Sequence, residues 1–299
     1  MRVDWTGNKC LLCLREEPLT DEHIVPEALG GKLISKLLCQ GCNSTLGASI
    51  EAKARSDPSV RIAVERLREQ IPDLARRLME NQNFLANGPG PKTSGFIRGE
   101  EFRIKSQKHE DGSLLQPTDE ARKSVDKILK KRGFEDSQIL KSLRTFDEAP
   151  ENQAVAVAPG LDIINWVTES IGLDLRNSKL MSTHIPLKIA FEFLACHLGT
   201  AVYDEAPQMN NIRQALKEGH ENDACFRVER LNANDYKPFH GICFEGNHPH
   251  ARVLIRLFGW LAFQVHFMKL SVGGPRFIYT HTLNDGKEHL QMLEEGNAP

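Results

Sequence analysis

CLLCLREEPLTDEHIVPEALGGKLISKLLCQGCNSTLGASIEA, residues 10–52, decides the fold of the first part of this chain. It opens on Cys10-x-x-Cys13 and later carries Cys39-x-x-Cys42, two tight pairs separated by a 25-residue insert. Each Cys-x-x-Cys turn presents two thiolates from one bend, and two such turns supply the four soft ligands of a tetrahedral zinc ion. A segment this short has little room for an apolar core, so the metal takes over part of the core's work. Four of the seven cysteines lie here. In a reducing compartment, cysteines grouped this way bind metal more often than they form disulfides.

The insert holds Asp21-Glu22-His23-Ile24-Val25-Pro26 and then Gly30-Gly31, and the second pair is followed at once by Asn43. These residue types suit phosphodiester hydrolysis. An imidazole with an ordinary pKa near ~6.5 can take a proton from water at neutral pH. A carboxylate and an amide oxygen are hard donors that suit Mg²⁺ or Mn²⁺. One such ion can stabilise charge on the phosphate and help the leaving oxygen. In a regular strand Glu22 and His23 would point to opposite faces, so a strand end or turn is needed for both to serve one site.

Two cysteine pairs, an acid-His-x-x-Pro run, Gly-Gly and Cys42-Asn43-x-x-x-Gly47-x-x-x-Glu51 fall in one order. In that order they resemble the HNH, or ββα-metal, endonucleases. The likeness is greatest to the branch with a four-cysteine zinc and a Glu-His pair, whose motif order phage Holliday-junction resolvases share. It covers residues 10 to about 54, under a fifth of the chain. The resemblance implies His23 as general base, Glu22 and Asn43 holding a catalytic Mg²⁺ or Mn²⁺, and a separate structural zinc on Cys10, Cys13, Cys39 and Cys42. That zinc would pin the hairpin to the following helix. Glu51, two helical turns past Asn43, reads either as an added metal ligand or as an ion-pair partner. Two departures stand out. Glu22 replaces the Asp of many relatives, and Leu33-Ile34-Ser35-Lys36 lacks the Asn that often orients the histidine loop, a part left to Ser35 or to backbone groups.

The resemblance further implies a nucleic-acid substrate, DNA foremost, and by analogy a role in bacterial restriction or anti-phage defence. Each HNH site cuts one strand, so a homodimer is the simple route to a double-strand break. Two other functions fit the same residues. One is a zinc-dependent nucleic-acid-binding module without cleavage. The other is a sensor-effector in which the C-terminal part binds a small molecule or protein and gates the nuclease.

Working outward, the 299 residues with a net charge of −2 describe an ordinary globular protein and exclude a globally basic one. The charge is unevenly spread. Residues 61–146 hold 18 Lys and Arg against 13 Asp and Glu, while residues 147–299 hold 13 against 19. Arg61, Arg66, Arg68, Arg76 and Arg77, then Lys123, Lys127, Lys130, Lys131 and Arg132, can line a phosphate backbone or simply solvate helix faces. The longest apolar run, Leu257 to Val265, is about half a bilayer span, so no membrane partner is expected. The N-terminus lacks a signal peptide's build, and a cytoplasmic location is expected.

The expected class is α+β, in three segments: an HNH module at 1–58, a basic and mainly helical segment with a short hairpin at 59–146, and an α+β domain of unknown role at 147–299. Leu46, Ile50 and Ala54 mark a helix face, and Pro58 interrupts it. A second helix from about Ser59 to Phe84 carries Val60, Val64, Leu67, Ile71, Leu74 and Leu78, with a kink at Pro72. Phe96–Arg98 and Phe102–Lys105 read as strands, the latter turning at Asp111-Gly112 to pair with Leu114-Leu115. Helices follow near 118–132 and 136–144, then an acidic linker, TFDEAPENQ. IPLKIAFEFLACHL (185–198) reads as a mostly buried helix and 208–217 as another. From Cys225 the pattern is β, an antiparallel sheet. Cys196, Cys225 and Cys243 are expected as buried thiols, and His240, His248 and His250 as loop histidines. Trp166, Phe239 and Trp260 are expected in the core.

Overall fold

The computed structural model describes residues 1–79, 84–87, 93–98, 101–108, 114–147, 154–157, 163–166, 170–173, 182–204, 206–219, 224–245, 250–272 and 276–293. The chain forms two compact units, Met1–Leu78 with Ser178–Pro299, and Met79–Asn177. This division cuts across the three segments read from the sequence. The first unit joins both ends of the chain, and the second is an insertion between them.

In the first unit, β1 (Leu19–His23) and β2 (Ile34–Cys39) form an antiparallel hairpin, with Glu22 opposite Ser35 and His23 opposite Ile34. The connection turns at Gly30-Gly31. Gly30 has a left-handed φ of +88°, and a Cβ on Gly31 would sit 1.9 Å from the Val25 carbonyl oxygen. Only glycine satisfies both demands. Helix α1 (Gln40–Leu46) follows directly and continues through a wider turn at Gly47–Glu51 into α2 (Ala52–Ser56). Leu46, Ile50 and Ala54 are all buried, as their spacing predicts. At the expected break, Asp57 is extended and its carboxylate caps α3 (Pro58–Arg66), accepting from the Ser59 and Val60 amides at 2.7 and 3.3 Å. The long second helix is instead two. α3 ends at Arg66, a turn spans 67–71, and α4 covers Pro72–Met79. Pro72 has no N–H to continue the ladder and disfavours helix at Ile71, so the chain restarts there rather than bending. The apolar stripe is buried throughout.

The second unit holds two four-stranded antiparallel sheets. One has the order β10-β3-β4-β5, formed by β3 (Phe84–Asn87), β4 (Thr93–Arg98), β5 (Glu101–Ile104) and β10 (Ser170–Leu173). The other has the order β6-β7-β8-β9, formed by β6 (Gln107–Lys108), β7 (Leu114–Pro117), β8 (Ala154–Val157) and β9 (Ile163–Trp166). Thus β5 pairs with β4 and not with Leu114-Leu115, which pair instead with Lys108 and Gln107. The expected turn at Asp111-Gly112 lies outside the described residues, as do 148–153 of the expected linker. Helices α5 (Thr118–Lys131) and α6 (Asp136–Asp147) share a small core of Ala121, Val125, Leu129, Ile139 and Leu143.

The remainder of the first unit begins with α7 (His184–Leu198), whose residues 184–195 are all buried, and α8 (Pro207–Glu218). By length and composition alone the stretch His184–Tyr203 could cross a bilayer, but two-thirds of it is buried inside the protein as a core helix. A six-stranded antiparallel sheet follows, in the order β11-β14-β13-β12-β15-β16: β11 (Phe226–Leu231), β12 (Phe239–Glu245), β13 (Ala251–Leu257), β14 (Leu261–Phe267), β15 (Arg276–Thr282) and β16 (Glu288–Leu293). The apolar run at 251–267 is split by a tight turn with positive φ at Phe258 and Gly259. α7 packs on the face of this sheet that carries Ile242, Phe244, Val253 and Val265.

Candidate metal centre and nuclease site

The four cysteines come together. Cys10 and Cys13 bracket a turn closed by the Leu14 N–H donating to the Cys10 carbonyl. Cys39 ends β2 and Cys42 lies in the first turn of α1. All four Sγ atoms lie within 4.8 Å of one another, and Cys13 Sγ is 3.8 Å from Cys39 Sγ. A tetrahedral zinc with bonds of about 2.3 Å has sulfur–sulfur edges of about 3.8 Å, so the cluster is compatible with a structural zinc. None of the four is in a disulfide. Burial pushes the Cys39 and Cys42 thiols up. At Cys13, burial opposes but hydrogen bonds with Arg15 win and pull the thiol down to about 7. Four thiolates this close repel, and a divalent cation removes the conflict.

The expected catalytic residues sit beside this cluster. Asn43, in α1, donates through Nδ2 to Thr20 Oγ1 at 3.0 Å and to the Asp21 carbonyl at 3.1 Å. The amide is thereby fixed against β1 next to Glu22. His23 is the last residue of β1 and is half-buried. Glu22 lies within the strand and His23 at its end, and burial runs from half-buried Leu19 and Thr20 through exposed Asp21 to buried Glu22. Asp21 is exposed and pairs with Arg2 at 2.6 Å, whereas Glu22 is buried. Ser35, across from Glu22, donates to the Val3 carbonyl at 2.9 Å and is committed to the N-terminal segment.

The partner of Glu22 comes from beyond the inserted second unit. Lys188 of α7 is fully buried, and its Nζ lies 2.5 Å from Glu22 Oε1, 3.2 Å from Glu51 Oε1 and 3.1 Å from Glu192 Oε2. It also donates to the His23 carbonyl at 2.5 Å and to that of Ile24 at 3.4 Å. Burial alone would lower the Lys188 pKa, but the carboxylates of Glu192, Glu22 and Glu51 carry it well above the ordinary lysine range. Burial pushes Glu192 well above the usual carboxylate range, and Lys188 only partly opposes this. Removing one partner from such a buried pair costs ~3–5 kcal/mol. Glu51 is therefore an ion-pair partner that shares its cation with Glu22. Lys188 and Glu192 were legible in principle, as two opposite charges at i, i+4 in an otherwise apolar helix.

Three more long-range contacts fasten the module. Tyr203 accepts from the Lys9 amide at 2.9 Å and donates to its carbonyl at 2.6 Å. Arg213 donates through Nε to the Leu11 carbonyl at 3.0 Å. His240 Nε2 donates to the Leu29 carbonyl at 2.9 Å and its Nδ1 accepts from the Phe258 amide. His240 is thus a buried strand residue and not the expected loop histidine. Both ring nitrogens are used in the neutral form, and burial pulls the group down to about 4. His250 accepts from the Lys269 amide, and His248 lies outside the described residues. Cys196, Cys225 and Cys243 are partly buried, not fully, and join no metal-ligand group among the described residues. Phe239 and Trp260 are likewise only part-buried. Trp260 stacks on Tyr236 near the surface, and the Trp166 side chain lies outside the description.

The basic residues divide between the units. Arg66, Arg68, Arg76 and Arg77 are exposed on the first, while Lys123, Lys127, Lys130, Lys131 and Arg132 are exposed on α5 of the second and just beyond it. Several are paired locally, Arg76 with Asp73 and Lys130 with Asp126, both at 2.9 Å.

Compared with known proteins, residues 10–59 match the HNH endonuclease family. No curated protein and no solved structure matches the chain. With the hairpin, the following helix and the cysteine cluster in place, residues 10–59 form an HNH endonuclease domain whose four cysteines suit a structural zinc.

Proposed function

We propose that the protein is a metal-dependent endonuclease that hydrolyses phosphodiester bonds, with DNA as the substrate. The observation that carries this reading is Asn43, held by its amide nitrogen on the strand of Glu22 and His23 within a segment that matches the HNH family. With Nδ2 engaged, Oδ1 is the atom left to bind a cation, and with the Glu22 carboxylate it offers a hard oxygen set suited to Mg²⁺ or Mn²⁺. The bound ion would stabilise charge on the phosphate and the leaving oxygen. His23 takes the proton from the attacking water. The cysteine cluster keeps β2 and α1 joined, so that Asn43 stays opposite β1. The exposed cations of α5 give the DNA backbone a place to lie.

A plasmid-nicking assay with Mg²⁺ or Mn²⁺ tests this. The wild type is expected to nick, and His23→Ala to lose at least ~100-fold in rate, the usual scale for a general base. Wild type that leaves supercoiled, linear and single-stranded DNA and RNA all uncut would overturn the reading. A second reading, gating of the nuclease by a ligand or protein bound to residues 178–299, draws on the contacts of Lys188, Tyr203, Arg213 and His240 with the HNH domain. Cleavage that appears only after such a partner is added would favour it.

A further inference from the structure

We infer that Lys188 is a positioning residue of the nuclease site, a cation that sets where the Glu22 carboxylate and the His23 backbone stand. The inference rests on the nuclease reading above and adds a residue that the HNH motif does not contain. Lys188 lies 165 residues beyond His23, outside the family match at 10–59.

One ammonium performs three tasks at the end of β1. It grips Glu22 Oε1 at 2.5 Å, grips Glu51 Oε1 at 3.2 Å, and donates to the His23 carbonyl at 2.5 Å. Two ionised carboxylates brought to one point repel; a cation between them or a shared proton offsets this, and here the cation is Lys188. The contact to the His23 carbonyl ties the residue that carries the base to the same cation that holds the acid. The stem of Lys188 cannot yield, because α7 is buried from His184 to Ala195 and Phe191 lies against Phe267, ring centroids 6.5 Å apart. Cohesion alone does not account for the group. An apolar pair would join helix to hairpin without the desolvation cost of burying an ammonium among acids. A reacting group displaced by ~1 Å can lose about 100-fold in rate, so a fixed cation at this place has a direct consequence for the chemistry.

The test compares the full chain as wild type, Lys188→Met and Lys188→Arg. Zinc content reports the fold of the HNH domain. Mn²⁺ titration followed by electron paramagnetic resonance reports the Glu22 and Asn43 donors without any cleavage. Plasmid nicking gives kcat and KM. Lys188→Met is expected to keep about one zinc per chain, to bind Mn²⁺ at least ~10-fold more weakly, and to lose at least ~10-fold in kcat with KM little changed. Lys188→Arg should recover part of both losses. A zinc-loaded Lys188→Met that binds Mn²⁺ and nicks like the wild type overturns the inference. Tighter Mn²⁺ binding overturns it too, because Lys188 would then be a competitor for Glu22. If Lys188→Met loses zinc, Lys188→Gln, which keeps a hydrogen-bond donor without the charge, decides: weakened Mn²⁺ binding supports positioning and unchanged binding refutes it. Loss of zinc in both variants would reduce Lys188 to a structural role. Wild type that binds Mn²⁺ and cuts nothing defeats the nuclease reading alone, and the Mn²⁺ comparison still judges Lys188.

Discussion

The cysteine cluster and the Glu22 centre lie within one short domain, yet they are built in opposite ways. The cluster is local. Its four ligands come from two tight turns, and the second turn is the junction of β2 with α1. The Glu22 centre is long-range, since its cation arrives on α7, beyond the inserted second unit. The first is a cluster compatible with a structural zinc that would add to a small local core. The second is a buried charge cluster that only a completed core can hold. A domain that depends on both cannot be understood from the motif alone.

The largest effect tests the local half. Stripping zinc with a chelator, or Cys39→Ser, should remove on the order of 10 kcal/mol of metal-coupled folding free energy and unfold the HNH domain. Loss of helical circular dichroism in step with loss of zinc would report it. Glu22→Ala should leave zinc content unchanged, because a carboxylate outside the cluster contributes no sulfur ligand. Zinc lost in Glu22→Ala would break the distinction between the two regions.

A smaller effect tests the long-range half. His240 is held neutral at about 4, below its unfolded value of 6.5. A group depressed in this way adds stability above the unfolded pKa and loses it as pH falls toward the folded one. About 3 kcal/mol should therefore disappear between pH 6.5 and 4. Urea midpoints should fall over that window in wild type and fall less in His240→Gln. Equal slopes would show that the tie between Leu29 and the sheet does not titrate.

The smallest effect lies on the second unit. Lys123→Glu with Lys127→Glu should change stability by less than ~0.5 kcal/mol, since both side chains are exposed. DNA binding should weaken, and its salt dependence should lose about one unit of slope for each phosphate contact removed. An unchanged slope would take α5 out of the nucleic-acid surface.

Much of this molecule was legible in its residues. The cysteine spacing, the helix face of Leu46, Ile50 and Ala54, the break at Pro58 and the strands after Cys225 all follow from local geometry, and local geometry is what spacing encodes. The errors differ in cause. The helix through Pro72 failed locally, because a proline restarts a helix more readily than it bends one; the 102–105 strand pairs with the strand before it and not the one after; the setting of His240 depended on a distant segment packing alongside. β16, with its alternation of half-buried and exposed residues, gave too weak a signal to read.

What the sequence alone determined is an order of residues: four thiols, an acid-histidine pair and an asparagine in the order of the HNH motif. What only the tertiary structure decided is the company those residues keep. Lys188 meets the His23 carbonyl, Arg213 meets that of Leu11 and His240 meets that of Leu29 across 165 to 211 residues of chain. Spacing fixes contacts within a turn or a hairpin. A buried charge or carbonyl must instead find whatever partner the folded core brings to it, and that choice is made only when the two ends of the chain pack as one unit.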